Sequence, residues 1–325
     1  MAFKRTSLSF IPSLLPNQTL YSWGAVFHEQ SGNSSAERSR SQLFGLVRRG
    51  LHFHIPSHLD KFCANTQLAL GTPETLIQIA TTVPYYTRFR TPSVSARILK
   101  LARGNSSYGV AQALGMAKTT IYTPPPRRSC YQCVQDDLAE LGFAYWRRDH
   151  QLPGILVCPK HGKALLSLPY DHRDIHNDKF LWPDEDWNLM GASANSNWPT
   201  TTLVTLNRLA KLATDMANDN LTENYSLRKM RSAFLSILHK RGLIAPDGSL
   251  EVTPALRDYG HHFCSVLKIP EIAAAEKTSI RPIVYVLRHT KFRIHPLEWM
   301  LLIDWLFGDW STFIEYYSHT DMKQQ

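Results

Sequence analysis

Residues 130–161 read CYQCVQDDLAELGFAYWRRDHQLPGILVCPKH, a stretch that begins with Cys130 and Cys133 and ends with Cys158 and His161. The two pairs share one internal spacing and form a Cys-x2-Cys-x24-Cys-x2-His pattern. Zinc prefers four tetrahedral sulfur and nitrogen ligands, and a tight Cys-x-x-Cys turn brings two thiolates to the same ion. We therefore predict that these four side chains bind one zinc ion.

The predicted zinc ion is structural. Four protein ligands leave no open coordination position, whereas catalytic zinc usually keeps three protein ligands and a water. The alternative interpretation is a redox Cys-x-x-Cys motif beside an unconnected histidine, or two unrelated pockets of reduced thiols. The chain has five cysteines, and we predict that the remaining two, Cys63 and Cys264, are buried reduced thiols in a cytosolic protein.

The length of 325 residues predicts two or three domains. We expect a mainly α, multi-domain fold with a basic helical domain over 1–128, a small zinc-binding domain and linker over 129–200, and a helical domain over 201–325. The longest apolar stretch, Trp299 to Phe307, spans nine residues and contains Asp304. It is too short to cross a bilayer, which needs about 20 apolar residues, so we predict a soluble protein without a membrane partner.

The first third of the chain reads as several short helices. Asn17 is the predicted N-cap of the first helix, and Thr72 is the predicted N-cap of another. Ser93 or Ser95 is expected to open a further helix, which ends at Gly104. In the C-terminal part, His295 and Pro296 are expected to open an apolar helix that is buried on most sides.

Positive charge is concentrated in the N-terminal part. Residues 1–128 contain 15 Lys and Arg against 4 Asp and Glu, a net charge of +11. The net charge is −4 over 129–200 and +2 over 201–325. This segregation indicates that the first region contacts a polyanion, because Lys and Arg supply the phosphate contacts of DNA-binding proteins. The alternative is a basic surface that only aids solubility.

Residues 108–122 read YGVAQALGMAKTTIY, a pattern typical of a helix-turn-helix. Ala111 permits two helices to approach closely, and Gly115 permits the turn between them. Lys118, Thr119 and Thr120 would then begin the recognition helix. The alternative is a helical hairpin packed inside the domain. From charge and position, the candidate DNA contacts are Arg88, Arg90, Arg97, Lys100, Arg103, Lys118, Thr119, Thr120, Arg127 and Arg128.

Several segments together resemble the TnsD/TniQ family, and their sequences are more similar to TnsD. The segments are 14–23 (LLPNQTLYSW), 31–34 (SGNS), 43–45 (LFG), 82–86 (TVPYY) and, above all, 145–162 (YWRRDHQLPGILVCPKHG). The resemblance runs from about Ser7 to Leu168 and is most specific where it leads into the second half of the zinc pattern. Residues 294–297 and 301–308 are similar to the later helical part of the family.

The resemblance implies a non-enzymatic protein that selects the insertion site of a bacterial transposon. Such a protein binds double-stranded attachment-site DNA in the cytoplasm and recruits an AAA+ ATPase, which brings the transposase. The alternative is a TniQ-type adaptor that links an RNA-guided CRISPR effector to the ATPase without reading sequence itself. A zinc enzyme is a third hypothesis, but the sequence has no H-E-x-x-H motif and no Walker loop.

Overall fold

The computed structural model describes residues 8–45, 53, 57–104, 107–114, 126–168, 179–184, 197–219, 225–275, 283 and 294–319. Over these residues the fold is mainly helical, as the sequence predicts. None of the helices in this part of the chain combines the length and the apolar character needed to span a bilayer.

The N-terminal part consists of short helices. They are α1 (Leu20–Ser31), α2 (Ala36–Phe44), α3 (Leu59–Asn65), α4 (Pro73–Ala80), α5 (Val83–Thr87), α6 (Pro92–Arg103) and α7 (Ser107–Leu114). α7 coincides with the first helix of the predicted helix-turn-helix, and it packs against α6. The predicted recognition helix with Lys118, Thr119 and Thr120 lies outside the described residues.

The helix starts confirm one predicted cap and correct two. Thr72 caps α4, because its hydroxyl accepts a hydrogen bond from the backbone N–H of Thr75. The predicted cap Asn17 is wrong: Asn17 adopts a left-handed backbone, and the hydroxyl of Thr19 caps α1 instead. The predicted start of α6 is also too late, because Pro92, which suits the first turn of a helix, already lies inside it.

The central segment is a small antiparallel unit. Strand β1 (Arg127–Ser129) pairs with β2 (Leu166–Leu168), with Arg128 opposite Ser167. Between the strands lie α8 (Tyr131–Leu141) and a one-turn 3₁₀ helix (Asp149–Gln151). The pairing closes a loop of the chain, so the beginning and the end of the segment meet at one place. That place is where the four predicted zinc ligands lie.

The C-terminal part is again helical. It contains α9 (Thr200–Asn218), α10 (Leu227–Lys240), α11 (Val252–His262), α12 (Pro296–Phe307) and α13 (Trp310–His319). His295 caps α12, and all twelve residues of that helix are buried, as its apolar sequence predicts. α12 packs against α9, α10 and α13. It therefore forms the centre of the C-terminal part.

One hydrophobic core includes buried residues from all three parts of the chain. Trp23 from α1, Trp146 from the central segment and Trp305 from α12 are among its largest buried side chains. A hydrogen bond also joins the N-terminal part to the central segment, because the hydroxyl of Tyr85 in α5 donates to the backbone carbonyl of Pro153 at 2.9 Å. The N-terminal, central and C-terminal parts therefore pack against one another, and the domain boundaries at 128 and 200 remain a prediction.

The two spare cysteines differ in exposure. Cys63 is buried, and burial together with the nearby Asp60 and Glu74 raises the pKa of its thiol to about 11. The prediction that Cys264 is buried is wrong, because its side chain is exposed. Cys264 lies in the turn after α11, where Phe263 and Val266 take the inward positions.

Candidate metal centre

The four predicted zinc ligands are held by two local turns. Cys130 immediately precedes α8, and Cys133 lies in the first turn of that helix. Cys158 and His161 lie in a tight turn, in which the N–H of Gly162 donates to the carbonyl of Cys158 at 2.8 Å and the N–H of Cys158 donates to the carbonyl of Lys163 at 2.8 Å. Gly162 has a φ of 63°, a left-handed conformation that favours glycine.

The side-chain spacing fits a tetrahedral metal ion. The ligand atoms of the four residues all lie within 4.8 Å of one another. His161 Nδ1 lies 3.5, 3.4 and 3.7 Å from the sulfurs of Cys130, Cys133 and Cys158, and the Cys133 and Cys158 sulfurs are 3.6 Å apart. For bonds of about 2.3 Å to sulfur and about 2.0 Å to nitrogen, tetrahedral geometry requires about 3.5 Å between S and N and about 3.8 Å between two sulfurs.

The thiols are arranged so that a cation is needed to ionise all three. All three cysteines are buried. Hydrogen bonds from Cys133 and Cys158 lower the pKa of Cys130, whereas the interaction with Cys130 raises the pKa of Cys133 and raises that of Cys158 to about 11. Because thiolates this close repel one another, the cluster without a cation disfavours ionisation of all three thiols. A divalent ion stabilises three thiolates at once, and its binding releases protons.

Sequence reasoning missed a further group at this centre. The carboxylate of Asp136 lies 3.3 Å from Nε2 of His161, on the side of the ring that faces away from the sulfurs. Asp136 is one helical turn from Cys133 on α8, so the helix positions both residues. The sequence does place Asp136 three residues after Cys133 on the same helix. This spacing alone does not predict that His161 lies beside the carboxylate of Asp136.

Three of the predicted DNA contacts are buried and bind protein groups. Arg88 donates to backbone carbonyls at the end of α9, including those of Met216 and Asp219 at 2.9 and 2.7 Å. The guanidinium of Arg127 lies 5.0 Å from the ring of Phe53. Arg128 pairs with Glu271 and donates to the carbonyl of Ile155 at 3.0 Å. We assign structural roles to these three arginines.

The other predicted DNA contacts that the structure describes lie on or near α6. Arg97 and Lys100 are exposed on the outer face of this helix. Arg103 is exposed at its end but pairs with Asp60 at 2.8 Å and Glu74 at 2.9 Å. Arg90 is half-buried and donates to the carbonyl of Leu114 in α7 at 3.1 Å. Of the described candidates, Arg97 and Lys100 are thus the two best placed to contact a ligand.

Comparison of the sequence with known proteins finds a family match over the region that holds the candidate metal centre. A TniQ family model matches residues 9–165, a range that contains all four candidate metal ligands. The transposon Tn7 transposition protein TnsD of Escherichia coli is 26% identical to the chain over 196 residues. Residues 9–165 of the chain belong to the TniQ family. The match to the Escherichia coli protein covers 60% of this chain and 37% of that relative's length.

The TniQ match covers the part of the chain in which the sequence resemblance is most specific. The family match ends at residue 165, directly before strand β2. It therefore includes helices α1 to α8 and the candidate metal centre. The C-terminal helices α9 to α13 lie beyond the match and pack onto it through α5 and α12.

Proposed function

We propose that this protein selects the insertion site of a transposon, as a DNA-binding adaptor that recruits an AAA+ ATPase and has no catalytic role of its own. The observation that carries the proposal is the TniQ family match over residues 9–165, together with the TnsD relative from transposon Tn7. In a bacterial cell this function implies a DNA-associated protein of the cytoplasm.

The proposed DNA-binding surface is the outer face of α6. Arg97 and Lys100 lie one turn apart on this face, and the exposed neighbours Ser93 and Ala96 are small enough to let a phosphate backbone approach. Acidic groups do not occur in α6. α6 also packs on α7, the first helix of the candidate helix-turn-helix, so phosphate contacts on α6 would lie beside that motif.

The proposed zinc ion has a structural part in this function. Binding by Cys130, Cys133, Cys158 and His161 joins the start of α8 to the tight turn over residues 158–163. Strand β1 precedes the turn with Cys130 and Cys133, and strand β2 follows the turn with Cys158 and His161. The ion would therefore close the same loop of the chain as the strand pairing. We infer that zinc fixes the central segment between the N-terminal and C-terminal helices.

DNA titrations with paired charge variants test the binding surface. Affinity for duplex should fall with salt, and the slope of log affinity against log salt should lose about 2 units in Arg97→Ala/Lys100→Ala, because each phosphate contact contributes about 0.9. The matched control is Arg257→Ala/Lys268→Ala, which removes two exposed cations from the C-terminal part. An unchanged slope in the α6 variant, or an equal loss in the control, would exclude this surface.

Footprinting tests whether the protein recognises a DNA sequence, and co-purification tests whether it recruits the ATPase. Protection of one sequence in a candidate attachment region would support direct reading, whereas the absence of any sequence preference would reject it. Retention of the transposon's AAA+ ATPase on protein-bound DNA would support recruitment, since an adaptor raises the local concentration of one partner beside the other. Co-purification with CRISPR effector subunits in place of sequence-specific binding would favour the RNA-guided alternative.

A further inference from the structure

The carboxylate of Asp136 joins the two halves of the candidate metal centre. Its Oδ1 accepts a hydrogen bond from the side-chain amide of Gln132 at 3.0 Å, and Gln132 lies between Cys130 and Cys133. Its Oδ2 accepts from Nζ of Lys160 at 2.7 Å and lies 3.3 Å from Nε2 of His161. One side chain thus contacts residues of both ligand turns.

The two ring nitrogens of His161 face different groups, Nδ1 towards the cysteine sulfurs and Nε2 towards the carboxylate of Asp136. Nδ1 lies 3.4 to 3.7 Å from the three cysteine sulfurs, so it is the atom available to a metal ion. A neutral imidazole can offer Nδ1 as a ligand only if Nε2 carries the hydrogen. An Nε2–H that donates to a carboxylate stabilises this tautomer, orients the ring and increases the basicity of the metal-bound nitrogen.

We propose that Asp136 is a positioning residue of the metal centre: it holds His161 as an Nδ1 ligand and aligns the second ligand turn with the first. The inference rests on the proposed binding of zinc. Helix α8 provides the rigidity, because it begins at the first turn and carries Gln132 and Asp136 four residues apart on one face.

Lys160 has a distinct part in the same network. Three thiolates and one divalent cation carry a net charge of −1, and Asp136 adds a second negative charge beside them. The ammonium group of Lys160 offsets this charge. The Lys160 side chain is 60% exposed, so water screens its ion pair with Asp136. Loss of this ion pair should therefore weaken zinc binding less than loss of the contact between Asp136 and His161.

Zinc affinity measured by competition with a chromophoric chelator tests the proposal in the full-length chain. Asp136→Ala should weaken zinc binding by about 10 to 100-fold, the usual effect of removing an outer-shell partner. Asp136→Asn keeps an oxygen acceptor for Nε2–H and should stay nearer to the wild type. Glu140→Ala is the matched control, since Glu140 is an exposed acid on the same helix, and it should bind zinc as the wild type does.

The tautomer of His161 provides a readout that a merely structural role would not change. In the zinc-loaded wild type, nitrogen-15 NMR should show protonated Nε2 with slow exchange of its hydrogen. In Asp136→Ala the same hydrogen should exchange rapidly, whereas Asp136→Asn should retain protection.

The outcomes separate this inference from the zinc proposal. Absence of zinc binding by the wild type would reject the metal proposal itself. Normal affinity and normal exchange in Asp136→Ala would overturn the positioning role while leaving the metal intact. Equal losses in Asp136→Asn and Asp136→Ala would also overturn it, because the retained acceptor would then be irrelevant.

Discussion

The Glu271 carboxylate accepts a hydrogen bond from the backbone N–H of Gly154 and pairs with the guanidinium of Arg128. The Gly154 contact is 2.7 Å long and involves Oε1, while Oε2 binds Arg128. Gly154 has a φ of +86°, and a Cβ there would lie 2.5 Å from Cδ1 of Leu297 and 2.8 Å from Cε of Met300. The turn that leads into the second ligand pair therefore docks closely against α12.

Substitution of Gly154 by alanine should destabilise this junction strongly. The left-handed backbone costs an alanine about 1 to 2 kcal/mol, and the overlap with Leu297 and Met300 adds about 1 to 3 kcal/mol. We expect the free energy of unfolding in urea to fall by roughly the sum of these terms. The control is Gly142→Ala, where φ is +79° but nothing lies within 4 Å of the added Cβ. Equal losses in both variants would contradict close docking at Gly154.

Removal of zinc should destabilise the central segment. Chelation, or Cys158→Ser, leaves buried thiols without their common cation, and we expect a lower thermal midpoint by circular dichroism. Cys264→Ser is the matched control, because that thiol is exposed and is not one of the four candidate ligands. If the chelator left the wild-type midpoint unchanged, the structural role of the metal would be wrong.

A substitution of Arg88 tests whether this residue stabilises the fold or contacts DNA. Arg88→Met removes the hydrogen bonds to the carbonyls of Met216 and Asp219, and leaving buried carbonyls unsatisfied costs about 1 to 3 kcal/mol. We therefore expect a lower free energy of unfolding, with the salt slope of DNA binding unchanged under conditions where the variant is folded. A reduced salt slope would indicate that Arg88 contacts DNA after all.

Asp304 connects three helices of the C-terminal part. Its fully buried carboxylate accepts from Arg208 in α9 at 2.6 and 2.8 Å, and it lies 2.8 Å from Nε2 of His262 in α11. Asp304→Asn should lower the free energy of unfolding by about 3 kcal/mol, since it leaves the partly buried Arg208 without its counter-charge. Glu315→Gln, at an exposed position, should change it little. Similar unfolding curves for the two variants would refute this role.

His295 should make the protein sensitive to acid. Burial, with a smaller effect of Arg90, lowers its pKa to about 3, whereas the unfolded chain takes up the proton near pH 6.5. The stability that the neutral ring contributes is complete above about pH 6.5 and is lost as the pH falls towards 3, by up to about 1.4 kcal/mol per pH unit.

The variant His295→Asn isolates this contribution, because asparagine can cap α12 but does not titrate. Urea unfolding at pH 7, 6 and 5 should show a shallower pH dependence in the variant than in the wild type. Other groups that titrate in this range act equally on both proteins. Parallel pH profiles would show that His295 is not responsible.

Local patterns predicted the features that depend on nearby residues. The Cys-x-x-Cys and Cys-x-x-His spacings identified four side chains that the structure brings together, because each tight turn presents two ligand atoms on one side. The cap at Thr72 and the buried helix after His295 followed from equally local signals. Asn17 and Thr19 were harder to separate, since both residue types cap helices and only the backbone conformation of Asn17 decides between them.

The roles of the charged residues could not be read from the sequence. Arg127 and Arg128 look like a basic patch, yet both side chains are buried, and the ion-pair partner of Arg128 lies 143 residues further along the chain. Arg97 remains exposed although it occurs in the same basic region. The contact of Asp136 with His161 is similarly non-local, because it requires α8 and the second ligand turn to meet.

The sequence by itself therefore determined the helical class, the four candidate metal ligands that lie together and the family resemblance, because short-range spacing and residue type are sufficient for these. Only the tertiary structure decided which arginines face solvent, which carboxylate supports His161 and how the central segment docks on α12. These properties depend on burial and on contacts between distant segments. Both are created when the helices pack around the common core.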